Sequence, residues 1–213
     1  MRTRDTRTMA GKQHTASIVW LLEEYMPNHT TNRLIVTGQK VDVDAFVLKS
    51  RGDDGSSLSF RKFIPCSESI DAQRIAWGTK WDAYSENLDY QGESPLALLA
   101  SASLDDDSEV SATYAFDTAW SEPSKVVAAM IEQHPELTFD HSYLYEDGGG
   151  GHAGRDYSTS FEDGSEEERD LYISMHGVDP WRTCCECWRE NTSDPNPDYR
   201  ICEDCEKDQE NES

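Results

Sequence analysis

Residues 111–145 change their hydrophobic period twice, and this constrains the fold more than any other feature of the sequence. SATYAFDTAW alternates apolar residues at period two and predicts a strand. The next segment, SEPSKVVAAMIEQHPE, carries apolar residues at helical spacing, and Pro135 is expected to end that helix. LTFDHSYLYEDGGGG returns to alternation and predicts another strand, which its glycine run closes. One face of the first strand, which should point to the core, is expected to carry Ala112, Tyr114, Phe116 and Trp120.

The first half of the chain carries a similar order of elements. NRLIVTG (32–38) predicts a strand, VDVDAFVLKSRG (41–52) a helix, and SLSFRKFIP (57–65) a second strand. Aromatic spacing in WGTKWDAY (77–84) predicts a further strand. Two right-handed strand–helix–strand units folded together give a ferredoxin-like α+β domain, an antiparallel sheet with two helices on one face. The term names a topology and implies no iron–sulfur cluster.

Five segments share their order and spacing with one known family. They are MPNHTTNRLIVTG (26–38), WGTKWDAY (77–84), FDTAWSEPSKVV (116–127), PELTFDHSY (135–143) and GHAGRDY (151–157). The chain therefore resembles the YubB ferredoxin-like domain family, which occurs in phage and plasmid proteins. This resemblance implies the ferredoxin-like fold and a mobile-element context. It carries no catalytic residue over to this chain.

The resemblance also implies a domain layout. Met26 aligns with the family's usual first residue, so residues 1–25 are expected to be a flexible N-terminal extension or the product of an over-long start-codon choice. The ferredoxin-like domain is expected at 26–175, with an insertion near 87–110 and a hairpin at 151–175. Residues 176–213 are expected to form a separate cysteine-rich module with an acidic tail.

Two of the matching segments place carboxylates among tryptophans and form a candidate ligand-facing box. Its residues are Trp77, Lys80, Trp81, Asp82, Asp117 and Trp120. In a functional interpretation the aromatic rings are walls, each with a carboxylate beside it. In the structural interpretation, which the sequence favours, the rings fill the core and the carboxylates cap turns. No Ser/His/Asp or Cys/His set and no phosphate-binding loop can be assembled, so no catalytic residue is predicted.

Two C-x2-C pairs near the C-terminus carry the strongest chemical signal. The cysteines are Cys184, Cys187, Cys202 and Cys205, with fourteen residues between the pairs. Four thiolates at about 2.3 Å satisfy tetrahedral Zn2+ and leave no open position, which predicts a structural zinc-ribbon-like module. Rubredoxin-type iron, disulfides and a redox dithiol are the alternatives, and a cytosolic chain argues against disulfides.

The net charge of −23 is concentrated in residues 101–213. Residues 101–150 hold 1 basic residue against 11 acidic ones, and residues 151–213 hold 6 against 18. Such a surface repels nucleic-acid phosphates and anionic membranes. Three explanations remain open: solubility or adaptation to high salt, a docking surface for a basic protein, and mimicry of a nucleic acid. A single acidic face would favour docking or mimicry, whereas an even spread would favour salt adaptation.

These observations together predict a non-enzymatic accessory protein of a phage, plasmid or other mobile element. We expect it to act in the cytoplasm, that of the host if it is phage-encoded, by binding another protein that is basic or itself binds nucleic acid. No apolar run approaches the 18 residues of a membrane span, so no membrane association is expected. Two alternatives stay open: a nucleic-acid-binding module that uses the sheet aromatics and the zinc ribbon, and an enzyme that uses the box.

Overall fold

The structure is a computed structural model, and it describes residues 28–90 and 108–182. The four cysteines, the N-terminal extension and most of the expected insertion lie outside the described residues. None of the described helices is long and apolar enough to cross a membrane. The described elements are, in chain order, β1 (His29–Gln39), α1 (Lys40–Ser50), a 3-10 turn (Phe60–Lys62), α2 (Ile70–Trp77), β2 (Tyr84–Tyr90), β3 (Glu109–Ala119), α3 (Ser124–Gln133), β4 (Thr138–Tyr145), β5 (Gly150–Gly154), β6 (Ser158–Phe161), α4 (Glu166–His176) and a second 3-10 turn (Pro180–Arg182).

The strands form one antiparallel sheet in the order β2-β3-β1-β4-β5-β6. Its first four strands, with α1 and α3, have the ferredoxin-like arrangement, so the predicted α+β class and antiparallel sheet are confirmed. The hairpin of β5 and β6 extends the sheet beyond β4. Helices α2 and α4 raise the number of described helices from the predicted two to four.

One face of the sheet, here called the helix face, holds the core. Period-two alternation brings the buried side chains of β1, β3 and β4 to this face, where they meet side chains of α1, α2 and α3. Because these residues lie at strand and helix spacings that the sequence shows plainly, the core was largely predictable. The core includes Leu34, Val36, Val43, Phe46, Trp77, Tyr114, Phe116, Met130 and Phe139.

The predicted strand at 57–65 is wrong. Leu58, Ser59 and Phe60 are consecutive and all buried, which no half-exposed strand allows, and the chain turns as a 3-10 helix at Phe60–Lys62. The carboxylate of Asp82 accepts hydrogen bonds from the Phe60 N–H and the Ser59 hydroxyl, at 2.6 and 2.8 Å. These bonds replace the sheet partners that a strand would need.

The predicted strand at 77–84 is also wrong for most of its length. Trp77 is the last residue of α2, and Gly78 ends that helix in the left-handed conformation, with φ of 90°. The strand begins only at Tyr84. Trp120 does not lie on the inner face as predicted, because β3 ends at Ala119 and the left-handed φ of 79° at Trp120 breaks the alternation. Its side chain is 57% exposed.

The opposite face of the sheet, here called the open face, is partly covered by α4. Ser165 caps this helix by accepting from the Glu168 N–H at 3.2 Å, and Gly177 ends it with φ of 74°. Leu171 is buried against the sheet, and Arg33 donates from Nη1 to the Ser174 hydroxyl at 2.8 Å. The expected hairpin at 151–175 is therefore shorter than predicted, and α4 follows it.

Two buried polar side chains bridge β1 and β4 inside the core. Asn32 donates from its amide nitrogen to the Thr30 carbonyl at 2.7 Å and to the Thr118 hydroxyl at 3.0 Å. Its amide oxygen must then accept, so His141 Nε2, 3.0 Å away, carries the proton. His141 Nδ1 is left unprotonated and has no partner among the described residues. Burial, with a smaller effect of His152, lowers the pKa of His141 to about 3.

We predict that this histidine makes folding sensitive to mild acid. Between the unfolded pKa of 6.5 and the folded value of about 3, the unfolded chain binds a proton that the folded chain excludes. The free energy of unfolding therefore falls as the pH falls, with a slope from His141 of at most about 1.4 kcal/mol per pH unit. Urea unfolding of wild type and His141→Gln across this range measures the effect. The glutamine amide can still donate to Asn32, and the variant keeps every other titrating group.

The stability of His141→Gln relative to wild type should rise steadily below pH 6.5. A difference that stays constant with pH would show that His141 titrates equally in both states and would contradict the assigned burial.

Candidate functional site

The six residues of the predicted box do not form one site. Trp77 is fully buried, donates from Nε1 to the Ile64 carbonyl at 2.8 Å and packs edge-on against Phe60. Asp82 accepts from Ser59, Phe60 and also the Ala83 N–H, at 3.0 Å. Burial raises the pKa of Asp82, while these hydrogen bonds and Arg61 oppose the rise. Both residues have the structural roles that the sequence favoured.

Lys80, Trp81 and Trp120 are brought together at the end of β3. The Lys80 ammonium lies 5.3 Å from the centre of the Trp81 ring and 5.9 Å from that of Trp120, within cation–π range of both. Lys80 is 9% exposed, so this contact is shielded from water, whereas Trp120 is largely exposed. The backbone N–H of Trp120 donates to the Asn28 carbonyl at 2.9 Å. We call Trp81 and Trp120 the tryptophan pair.

Asp117 belongs to the open face, away from Asp82. It lies opposite Tyr84 on β2 and opposite Thr31 on β1, and Thr31 in turn lies opposite Leu144 on β4. Burial first, and then the charges of Asp117 and Glu146, raise the pKa of Tyr84 to about 12. The Tyr84 hydroxyl is hydrogen-bonded to His29 Nδ1 at 2.7 Å. Asp117 thus lies in a row of side chains that crosses the open face from Tyr84 on β2 to Leu144 on β4.

That row leads to a cavity of about 550 Å³ between the open face and α4. Thr31 and Leu144 of the sheet and Tyr172 of α4 contribute to its inner surface. Further aromatic side chains in its wall are His29, His176 and Trp181. Its volume lies within the range of about 300–1,000 Å³ typical of ligand pockets. This cavity could not be predicted from the sequence, because no apolar pattern there indicates α4.

The cavity has an acidic rim. Glu146 and Asp147 follow β4, and Asp163 follows β6, and all three are exposed. The Glu146 carboxylate accepts from the His29 N–H at 2.7 Å and leaves one oxygen for other donors. The pKa of His176, in the cavity wall, is lowered by burial, and the negative charge of Asp117 opposes only part of this shift. The rim therefore presents negative charge beside aromatic rings.

Glu168 holds together the two loops of the rim, residues 146–149 after β4 and residues 162–165 after β6. One carboxylate oxygen accepts from the Gly149 N–H at 2.7 Å and the other from the Gly164 N–H at 2.6 Å. Gly148 has φ of 99°, and a Cβ there would lie 2.4 Å from an Asp163 carboxylate oxygen. Only glycine permits so close an approach in this backbone conformation. Glycine is thus required at position 148, and Gly149, with φ of 80°, has a left-handed backbone as well.

Among the described residues, Arg169 is the only lysine or arginine that lines the cavity, and a carboxylate already matches its charge. Its Nε and Nη2 donate to the two oxygens of Asp179, at 3.0 and 2.6 Å. The same guanidinium lies 4.5 Å from the centre of the Trp181 ring. The charge left over at the cavity is therefore that of the carboxylates.

Comparison with known proteins supports the ferredoxin-like region. Residues 101–174 match the family described as the ferredoxin-like domain in Api92-like protein. The match spans β3 to most of α4 and includes the acidic rim and Glu168. No curated protein and no solved structure matches the chain. Within the described residues, no group of three His, Cys, Asp or Glu side chains is arranged to hold a metal ion.

We predict that Glu168→Ala loosens both rim loops. The Gly149 and Gly164 N–H groups lose a charged acceptor, so their amide hydrogens should exchange faster, by the equivalent of about 1–3 kcal/mol of local stability. NMR-detected hydrogen exchange measures this directly. Glu167→Ala is the matched control, because it removes a neighbouring carboxylate from the same helical turn. Unchanged exchange at Gly149 and Gly164 in Glu168→Ala would disprove the holding role.

Proposed function

We propose that this chain is a non-enzymatic binding protein whose acidic surface docks a basic region of another protein. The observation that carries the proposal is where the acidic residues lie. In residues 108–182, 4 basic residues stand against 16 acidic ones, and in residues 28–90 the counts are 8 and 9. The imbalance belongs to the second half of the sequence. The concentration of half of these acids in the two joined segments described next favours docking over even salt adaptation.

Half of those sixteen carboxylates lie in two segments that the fold joins. Residues 146–147 and 162–170 form what we call the acidic edge, joined by the bonds of Glu168 to Gly149 and Gly164. This edge contains eight acidic residues and one basic residue, Arg169. A concentrated field of one sign speeds encounter with a partner of the opposite sign and selects against acidic ones.

The tryptophan pair adds a second argument for protein binding. Tryptophan, with tyrosine and arginine, is among the residue types enriched where the binding energy of a protein interface is concentrated. Trp120 also holds a left-handed backbone, which costs a bulky residue about 1–2 kcal/mol. In this conformation the Trp120 N–H donates to the Asn28 carbonyl at 2.9 Å, and the side chain is exposed.

The open face gives little support to the nucleic-acid alternative. Single-strand binding needs stacking aromatics and clustered cations on the sheet. The exposed side chains there include Asn87 and Asp89 on β2 and Glu109, Ser111 and Ala115 on β3, and none of these is a cation or an aromatic ring. Arg33 is bonded to Ser174. The core aromatics of β3 and β4 face the helices instead. An enzyme built on Asp82 and Asp117 is likewise disfavoured, because Asp82 is engaged in turn capping away from the open face.

The zinc module and the mobile-element context remain part of the proposal on sequence grounds. The spacing of Cys184, Cys187, Cys202 and Cys205 supports a structural Zn2+ site, and the segments that resemble the YubB family support a phage or plasmid origin. We predict that native mass spectrometry of the full chain finds one bound zinc per chain, which chelation removes. A metal-free chain with paired disulfides would contradict the zinc site.

The docking proposal predicts a partner whose binding depends on the acidic edge and weakens with salt. An edge variant carries Glu162→Gln, Glu166→Gln, Glu167→Gln and Asp170→Asn, none of which lines the cavity. Its control carries the same changes at exposed acids elsewhere: Glu68→Gln, Glu109→Gln, Glu132→Gln and Asp156→Asn. We expect the edge variant to bind the partner about tenfold more weakly and the control to bind within about twofold of wild type.

The partner is first captured from host lysate at low salt, then purified, and its affinity is measured calorimetrically over a salt series. Equal weakening by both variants would mean that only net charge matters, and no specific capture at low salt would remove the proposal.

A further inference from the structure

We propose that the cavity beneath α4 binds the side chain of an arginine from the docked partner. This inference rests on the proposed function, because the acidic edge brings the basic partner to the mouth of the cavity. It goes further by naming one chemical group and the residues that recognise it. The three observations behind it are the aromatic wall, the unmatched carboxylates of the rim, and the way the same wall already binds a guanidinium.

The wall and rim match the two properties that distinguish guanidinium from other cations. Guanidinium is flat and stacks on aromatic rings, and its fork of N–H donors fits carboxylate oxygens. Tyr172, His176 and Trp181 supply rings, and the Tyr172 and His176 ring centres lie 4.3 Å apart. Asp147 and Asp163 supply exposed carboxylates at the mouth. An arginine that entered between them would meet rings inside and acceptors outside.

Arg169 shows that this wall can hold a guanidinium. It binds both oxygens of Asp179 while it lies over the Trp181 ring. Asp179 matches the charge of Arg169. Within residues 28–90 and 108–182, this internal pair leaves four lining carboxylates without a lining cation: Glu146, Asp147, Asp163 and Glu168. A second guanidinium from outside would balance that surplus charge.

Charge also excludes the other plausible occupants. An anion would meet four carboxylates, and the first turn of α4 already holds Glu166, Glu167 and Glu168 beside its N–H groups. The chain's own residues 183–213 have 3 basic residues against 10 acidic ones, so they would be repelled by the rim. The carboxylates would also attract a lysine ammonium group. That group is not planar, so it would stack less well on the rings, and it lacks the fork of N–H donors that binds two carboxylate oxygens.

The rim loops are held in place before any ligand arrives. Glu168 binds both loops, and Gly148 allows Asp163 to approach the first of them closely. A site that is already ordered loses less entropy on binding, which favours recognition of a single side chain. Glu168 is thus a positioning residue here, and Asp147 and Asp163 are the proposed ligand contacts.

The test is an NMR titration of the isotope-labelled full chain with acetyl-Gly-Arg-Gly-amide, and with the same peptide carrying lysine or citrulline. Citrulline keeps the shape of arginine but has no charge. We expect the arginine peptide to shift the Gly148, Gly149 and Gly164 amides with millimolar affinity. It should bind at least about threefold more tightly than the lysine peptide, and the citrulline peptide should cause no saturable shift.

Two matched variants assign the contact. Asp147→Asn with Asp163→Asn should weaken arginine binding at least about fivefold, because it removes both charged acceptors. Glu132→Gln with Asp156→Asn removes the same charge from the end of α3 and from the turn between β5 and β6, the end of that hairpin opposite Asp147 and Asp163. This control should change arginine binding less than about twofold. Asp147→Asn alone, at an exposed residue, provides a milder variant with the same expected direction if the double variant is unstable.

Each contrary result overturns the inference. One such result is that the citrulline peptide binds as tightly as the arginine peptide. Another is that the arginine peptide shifts only amides outside the cavity. A third is that both double variants lose the same amount of affinity for the arginine peptide. If the arginine peptide fails while the edge variant still loses the partner, the cavity assignment is wrong and the docking function stands. If the peptide binds the cavity while the edge variant keeps the partner, the cavity takes a different arginine-bearing ligand and the proposed function is wrong.

Discussion

The pairing of β1 with β3 on one side and β4 on the other organises the whole described domain. Because β1 is bonded along both edges, its register fixes which side chains of three strands share a face. Leu34 and Val36 turn to the helix face and into the core, whereas Thr31 and Arg33 turn to the open face. A slip of one residue would exchange these sets, exposing the core and burying an arginine.

The first residues of β1 connect this framework to the candidate site. His29 contributes to the cavity wall and binds both Tyr84 and Glu146, so it links the β2 side of the sheet to the acidic rim. The preceding residue, Asn28, accepts from Trp120 and so joins the tryptophan pair to the same end of the sheet. The rings and carboxylates proposed to meet a partner therefore lie on elements fixed by the central strand, with the short loops of the rim held by Glu168.

Strict alternation and clear helical spacing made the core and the ferredoxin-like topology predictable. Phe46, Tyr114 and Phe139 lie at positions that a periodic pattern identifies without knowledge of long-range contacts. The segment at 57–65 was mispredicted because its hydrogen-bond partner, Asp82, is distant in sequence. Helix α4 begins with three glutamates and carries a single buried residue, Leu171, so its apolar signal is weak. The cavity depends on that helix and on contacts across the sheet, which no local pattern displays.

We propose that the acidic edge and the cavity beside it form the surface that meets another protein. A hydrogen-exchange footprint of the full chain with its purified partner tests this claim most directly. We expect the partner to slow amide exchange at residues 146–149 and 162–176, with little change in α1 and α3. Protection confined to the helix layer, or to β2 and β3 of the open face, would place the interface elsewhere and contradict the account.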